Sequence, residues 1–202
     1  LIIQKTLALA KQHQVVVGAH PAYPDLVGFG RRSMNCSQSE IVALISYQLS
    51  AIDGMAKSQG IELSYVKPHG ALYNDMMSKD SIRSAVIQAI ASYYRPVKLM
   101  LLATNASDIH RIEAKEAGIE LLFEAFADRC YDDDGKLLAR SQTGAVHNRE
   151  KMLSQVKQIC KHGTVTSVSG KTLNLSPDTL CVHGDNDEGI SAIVDIRALI
   201  HA

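Results

Sequence analysis

The sequence predicts an α/β fold built on a parallel sheet, and two observations carry that expectation. Short apolar or β-branched runs alternate with segments of helical periodicity along the whole chain. Several of those runs stop at a polar cluster of His, Asp and Lys, as strands do where a parallel sheet presents its chemistry. Helices that carry the chain back to a parallel neighbour produce either a β/α barrel or an open doubly wound sheet, and both fit the alternation.

The elements follow in order. LIIQKTLALAKQHQ repeats apolar residues at helical spacing, with no capping residue before them and no initiator Met, so an upstream segment is expected to be missing. VVVGAH (15–20) is the first strand. Ser37 and Glu40 in SQSE form the capping box of a helix that runs to about Gly60. LSYVKPH (63–69) is the second strand, and a helix over about 81–93 ends before Pro96. VKLMLLA (97–103) is the third strand, followed by a helix opened by Ser107 and closed by Gly118. IELLFEAFA (119–127) is the fourth strand. The acidic YDDDGKLL reads as a solvated turn at Asp134-Gly135 rather than a calcium loop. A helix over 149–162, a polar hairpin around Gly170-Lys171, the strand TLCVHGD (179–185) and a helix from about Glu188 to the end complete the chain. No linker or low-complexity segment interrupts it, so a single domain over 1–202 is expected.

Composition excludes more than it assigns. Among 202 residues, 21 Lys and Arg balance 21 Asp and Glu, which leaves no broad electrostatic footprint for nucleic acid or an anionic membrane. No apolar run is long enough to suggest a membrane span or a secretory leader. The four cysteines (Cys36, Cys130, Cys160 and Cys181) are far apart, so neither a zinc knuckle nor a disulfide framework is indicated and a cytoplasmic location is expected.

The polar strand exits GAHPAYPD, KPHGALYND, FEAFADR and CVHGDN hold the candidate functional residues. They supply His20, Asp25, Lys67, His69, Asn74, Glu124, Asp128, Arg129, His183 and Asp185, which a parallel sheet would gather on one rim. Polar groups at a half-buried rim are costly unless a ligand or partner uses them. Lys67 suits an anionic or developing oxyanion group, and Pro68 beside it restricts the backbone that positions His69. Two residues apart, Lys67 and His69 would share one face of a continuing strand. Structural roles compete with these assignments: Arg31 and Arg32 as loop cover, Glu124 and Asp128 as ion-pair partners of Arg129.

GAHPAYPDLVGFGRR, VKPHGALYN, EAFADRCY and CVHGD together resemble the signature segments of the LamB/YcsF family, in order and over essentially the whole chain. The family's acidic opening motif and its H-A-G-D are not in this chain. The resemblance implies an irregular seven-stranded β/α barrel, similar to the glycoside hydrolase/deacetylase superfamily and here lacking its N-terminal strands. It also implies the A subunit of an ATP-dependent 5-oxoprolinase, which hydrolyses 5-oxo-L-proline to L-glutamate with ADP and phosphate in partnership with subunits B and C.

On that basis Lys67, Arg31, Arg32 and Arg129, with Asn74, are candidates for holding phosphate or the substrate carboxylate. His20, His69 and His183 are candidates for general acid or base, oriented by Asp25, Asp128 and Asp185. No Walker-type loop is present, so ATP rests on the resemblance alone. Two alternatives stay open: a metal-dependent deacetylase or amidohydrolase with a divalent metal on His20, His69 and His183, and a non-catalytic substrate-binding subunit. Self-association into a homo-oligomer is a further expectation, through an exposed strand edge.

Overall fold

The computed structural model describes residues 1–201; Ala202, the last position of the expected C-terminal helix, lies outside them. The chain runs α1 (Ile2–Gln12), β1 (Val17–Ala19), α2 (Gln38–Lys57), β2 (Leu63–Val66), α3 (Gly70–Ser78), α4 (Asp80–Ala91), β3 (Lys98–Leu102), α5 (Ser107–Glu116), β4 (Leu121–Phe126), α6 (Arg149–His162), β5 (Thr164–Thr166), β6 (Thr172–Asn174), β7 (Thr179–Cys181) and α7 (Asp187–Ile200). Five strands form one sheet in the order β1-β2-β3-β4-β7, and β1 with β2, β2 with β3 and β4 with β7 run parallel. This is the α/β class expected, with the strand set of a partial β/α barrel. β5 and β6 make the separate antiparallel hairpin that TVTSVSGKTLNLS predicts, turning at Gly170 with φ 92°.

The chain divides into two compact units, one of residues 1–101 with 110–122, the other of 102–109 with the chain from 123 onward. In the first, β1 aligns Val17, Gly18 and Ala19 with Leu63, Tyr65 and Val66 of β2. Helix α2 covers these strands because Ile41, Ile45, Leu49 and Asp53 recur every four residues on its buried face. Its capping box forms as the sequence predicts: Ser37 Oγ accepts from the Glu40 amide, and the Glu40 carboxylate accepts from the Ser37 amide at 2.7 Å. Asp53 is the polar member of that face, accepting from the Tyr93 and Tyr94 hydroxyls at 2.8 and 2.6 Å and pairing with Arg95 at 2.5 Å. Those bonds tie α2 to the connection between α4 and β3.

Helix α3 is a difference from the sequence expectation, which reads KPHGALYND as a strand exit only. Ala71, Leu72, Tyr73, Asp75 and Met76 are buried along it, and Leu72 with Met76 is the helical spacing that carries the segment. Gly70 opens the helix at φ 58°, where a Cβ would stand 2.5 Å from the Gly30 carbonyl oxygen. Glycine is therefore required there by both backbone conformation and close approach.

On α5, His110 is 5% exposed and its Nδ1 is buried without a hydrogen-bond partner. Burial, and then the nearby Arg83 guanidinium, hold its pKa below the ordinary histidine value, more than offsetting Glu113 and Asp80. A histidine with a depressed folded pKa contributes stability that is present above about pH 6.5 and is lost as pH falls through the folded value. Thermal stability is expected to fall between about pH 7 and pH 5, and His110→Phe should flatten part of that slope. An unchanged slope in the variant, read by thermal melts across the window, would remove His110 as a cause.

In the second unit, Glu124, Ala125 and Phe126 of β4 pair with Thr179, Leu180 and Cys181 of β7. Helix α6 has the bounds the sequence predicts, with Asn148 accepting from the Lys151 amide at its start and Gly163 closing it at φ 61°. Met152 and Val156 of α6 meet Ala192 and Ile196 of α7 over Ala127. The YDDDGKLL turn is built by Asp132, whose carboxylate accepts from the Asp134 and Lys136 amides at 3.0 and 2.8 Å, as a solvated turn requires. Among the described residues no helix is long and apolar enough to cross a membrane.

Candidate functional site

The first unit brings His20, Lys67 and His69 together. Strand pairing stops at Val66, and His69 occupies the N-cap position of α3, so strand alternation does not extend through Pro68 to relate Lys67 and His69. The connection is made through His20 instead. The Lys67 amide donates to the Ala19 carbonyl, and the Lys67 carbonyl lies 2.6 Å from His20 Nδ1. His20 Nε2 lies 3.0 Å from His69 Nδ1, with the two rings edge to face, and His69 Nε2 lies 2.8 Å from the Phe29 carbonyl. Lys67 Nζ lies 5.9 Å from the centre of the Tyr73 ring.

The glycine-rich loop after β1 frames this cluster. Asp25 is buried at its base and accepts from the Gly28 amide at 2.9 Å and from Arg32 Nε at 3.0 Å. The Arg32 hydrogen bonds, more than the opposing burial, hold the Asp25 carboxyl at about 2, so it is ionised at neutral pH. Asp25 and Arg32 thus organise the loop, and Asp25 orients no histidine. Arg31 is exposed, with its guanidinium carbon 5.4 Å from the centre of the Phe29 ring. Asn74 is exposed on α3.

The second unit brings Asp128 and His183 together. Asp128 follows β4, is 0% exposed, and accepts from His183 Nδ1 with both oxygens at 3.0 and 2.9 Å. The His183 backbone amide donates to the same carboxylate at 3.3 Å, and the ring stacks on Phe126 at 5.6 Å. Burial pushes the Asp128 carboxyl up, but the hydrogen bond and charge of His183 outweigh it and leave the carboxyl below its ordinary value. Asp128 is therefore an anion that accepts from Nδ1–H of His183 and leaves Nε2 as the ring nitrogen not held by this carboxylate.

Asp185 pairs with Arg140 at 3.3 Å. Arg129 is 7% exposed and donates to the carbonyls of Leu138 and Ala145, which fastens the loop after β4. Glu124 is buried on β4. Among the described residues, no three His, Cys, Asp or Glu side chains stand where they could hold a metal ion together.

Sequence reasoning misses Gln155. Its side-chain amide donates to the carbonyls of Phe126 at 2.7 Å, Ala127 at 3.3 Å and Arg129 at 2.9 Å, and so fixes the backbone on both sides of Asp128. Its carbonyl oxygen lies 3.2 Å from Nε2 of His147, whose own amide donates to the Asp128 carbonyl. The available signal is a polar residue among Met152, Val156 and Ile159 on the buried face of α6. Gln155→Leu leaves those carbonyls without their donor and is expected to cost about 1–3 kcal/mol of stability. A melting temperature equal to wild type would show that the carbonyls find other donors.

The sequence profile of the LamB/YcsF family matches residues 1–202. The chain belongs to the LamB/YcsF family. It is similar to the 5-oxoprolinase A subunit of Pseudomonas fluorescens (strain Pf0-1), at 46% identity over 201 residues, covering 99% of this chain and 80% of that protein. The 5-oxoprolinase A subunit of Vibrio cholerae serotype O1 is 48% identical over 200 residues, covering 98% and 80%. Among solved structures, the lactam utilization protein of Thermus thermophilus superposes with a TM-score of 0.86 at 34% identity, covering 97% of this chain and 78% of that one. The LamB/YcsF resemblance drawn from the four strand exits, and the α/β class it implies, therefore hold.

Proposed function

We propose that this chain is the A subunit of an ATP-dependent 5-oxoprolinase, which hydrolyses 5-oxo-L-proline to L-glutamate with ADP and phosphate and works with subunits B and C. Relatives named as 5-oxoprolinase A subunits, at 46% and 48% identity over nearly the whole chain, support the substrate and the assembly. The observation that carries a catalytic role is the buried Asp128 carboxylate on Nδ1 of His183.

A lactam is a stabilised amide, and opening it needs an activated carbonyl, a base for water and a proton for the departing nitrogen. ATP would supply the activation as a phosphoryl group on the lactam oxygen: one water adds to the ring carbon, the ring nitrogen leaves with a proton to give the acyl phosphate of glutamate, and a second water releases phosphate and glutamate. His183 meets the second need: with Nδ1–H held by Asp128, its Nε2 takes a proton from water. Lys67 and the exposed Arg31 are cations of the kind that hold a phosphate or carboxylate group, and His20 and His69 are candidates for the proton donor. Arg32, committed to Asp25, and Arg129, committed to carbonyls, are assigned to holding loops rather than ligand.

The test combines the full chain with subunits B and C and measures 5-oxoproline-dependent release of ADP and glutamate. Activity is expected from the three together, with little or none from this chain alone. Robust glutamate formation by the isolated chain would contradict the assembly. Binding of 5-oxoproline by the chain, with turnover by B and C that does not require it, would make its role substrate binding alone.

A further inference from the structure

We propose that Phe29 is a positioning residue for His69: the loop after β1 holds this phenylalanine in a backbone conformation that favours glycine, so that its ring and its carbonyl both bear on the His69 imidazole. Phe29 has φ 54°, in the left-handed region where a bulky residue is an outlier. Among the described residues Gln14 is the other non-glycine with positive φ, and it lies just past the end of α1, where helices commonly take that conformation. Phe29 has no helix end to account for it.

Glycine stands on both sides of it for local reasons. A Cβ at Gly28 would collide with the Asp25 carboxylate, and Gly30, at φ 67°, has room for none, since a Cβ would stand 2.8 Å from Ala22 Cβ. Backbone conformation would favour glycine at position 29 as well. Burial does not explain the phenylalanine either: it is 69% exposed, and Leu26 and Val27 beside it are 94% and 91% exposed, so the loop tip encloses no core of its own. A strained residue that buries so little owes its place to what it touches. Its ring touches two candidate functional groups, the His69 imidazole at 5.2 Å between ring centres and the Arg31 guanidinium at 5.4 Å.

Phe29 meets His69 twice. Its carbonyl oxygen lies 2.8 Å from His69 Nε2, and its ring stands edge to face with the imidazole at 81°. The surrounding loop offsets the backbone strain with fixed hydrogen bonds. Within it, the Gly30 amide donates to the Asp25 carbonyl at 2.8 Å and the Gly28 amide to the Asp25 carboxylate at 2.9 Å. At its two ends, the Tyr23 and Ser33 hydroxyls donate to the buried Asp75 carboxylate of α3 at 3.0 and 3.1 Å. The Gly30 carbonyl accepts from the Ala71 amide at 2.9 Å, and the His69 amide donates to the Pro21 carbonyl at 2.8 Å. The loop is thus stitched to the start of α3 on both sides of Phe29, and the fold fixes where its ring stands against His69.

Phe29 shares this task, since His20 Nε2 also lies 3.0 Å from His69 Nδ1. The phenyl ring adds a wall that limits rotation of the imidazole and keeps it turned toward His20. Restricting a reacting group to one orientation raises the rate of the chemical step without tightening substrate binding. The bearing of this on 5-oxoproline turnover rests on the proposed function; the contact with His69 does not.

Two variants test the proposal. Phe29→Asn removes the ring, keeps the carbonyl and suits the left-handed backbone, whereas Phe29→Tyr keeps the ring. In the full chain, Phe29→Asn should melt at or above the wild-type temperature, while the nuclear Overhauser contact between the His20 and His69 rings should weaken. In the assembled enzyme its kcat should fall by about 10²-fold with KM for 5-oxoproline little changed, and Phe29→Tyr should restore kcat. A lower melting temperature for Phe29→Asn would make Phe29 a structural residue and overturn the proposal. A raised KM at unchanged kcat would make it a substrate contact and do the same. A ring contact of wild-type strength in the Phe29→Asn chain, or none in the wild type, would also overturn it. If the wild-type assembly forms no glutamate, the proposed function fails and the ring contact decides the positioning.

Discussion

Replacing His183 with Asn is expected to lower 5-oxoproline turnover in the assembled enzyme by about 10²–10⁴-fold, the range contributed by a positioned general base. His183 is the half-buried member of its pair, with the side chain 26% exposed, so the fold should tolerate the change. Asn keeps a polar group near Asp128 but provides no nitrogen that can take a proton from water. Asp128→Asn should also reduce turnover, because it removes the anion that fixes the His183 tautomer. It should in addition lower the melting temperature, since Asp128 is fully buried and also accepts from the His183 amide. If these contacts are only structural, both variants will melt earlier and the folded enzyme will turn over at the wild-type rate.

Lys67→Met is expected to lower turnover by about a hundredfold or more, the scale for losing one preorganised electrostatic donor. Methionine retains an apolar stem of similar length beside Tyr73, so the melting temperature should stay close to wild type. The backbone bonds of residue 67, its amide to Ala19 and its carbonyl to His20, do not depend on the side chain and should persist. Turnover and melting temperature measured on one preparation separate the outcomes. Near-normal turnover in a stable Lys67→Met enzyme would remove the lysine from the chemistry.

Local rules make much of this fold legible in the sequence. The capping box at Ser37 and Glu40, the left-handed Gly163 after α6 and the tight hairpin at Gly170 are each decided by a few neighbouring residues. Helix α3 is not legible because its first residue is a glycine following a proline and a histidine, which locally favours a loop. Only the burial of Leu72 and Met76 in the tertiary structure settles that segment as helix.

The same division runs through the functional residues. Strand ends point to His20, Lys67, His69, Asp128 and His183, because a parallel sheet places chemistry at that edge. Which carboxylate meets which cation is a long-range matter. The sequence groups Asp25 with the histidines, yet it holds Arg32, while Asp128 reaches His183 across 55 residues of chain. Gln155 escapes notice because its partners are backbone carbonyls, which leave no mark in the sequence.

The most direct test of the central claim measures glutamate and ADP together, in enzyme assembled from subunits B and C with either the wild-type chain or His183→Asn. The wild-type assembly should form glutamate and ADP in equal amounts and only when 5-oxoproline is present. The variant, assembled to the same extent, should lose glutamate formation. Equal glutamate production by both assemblies would contradict the assignment of base chemistry to this chain.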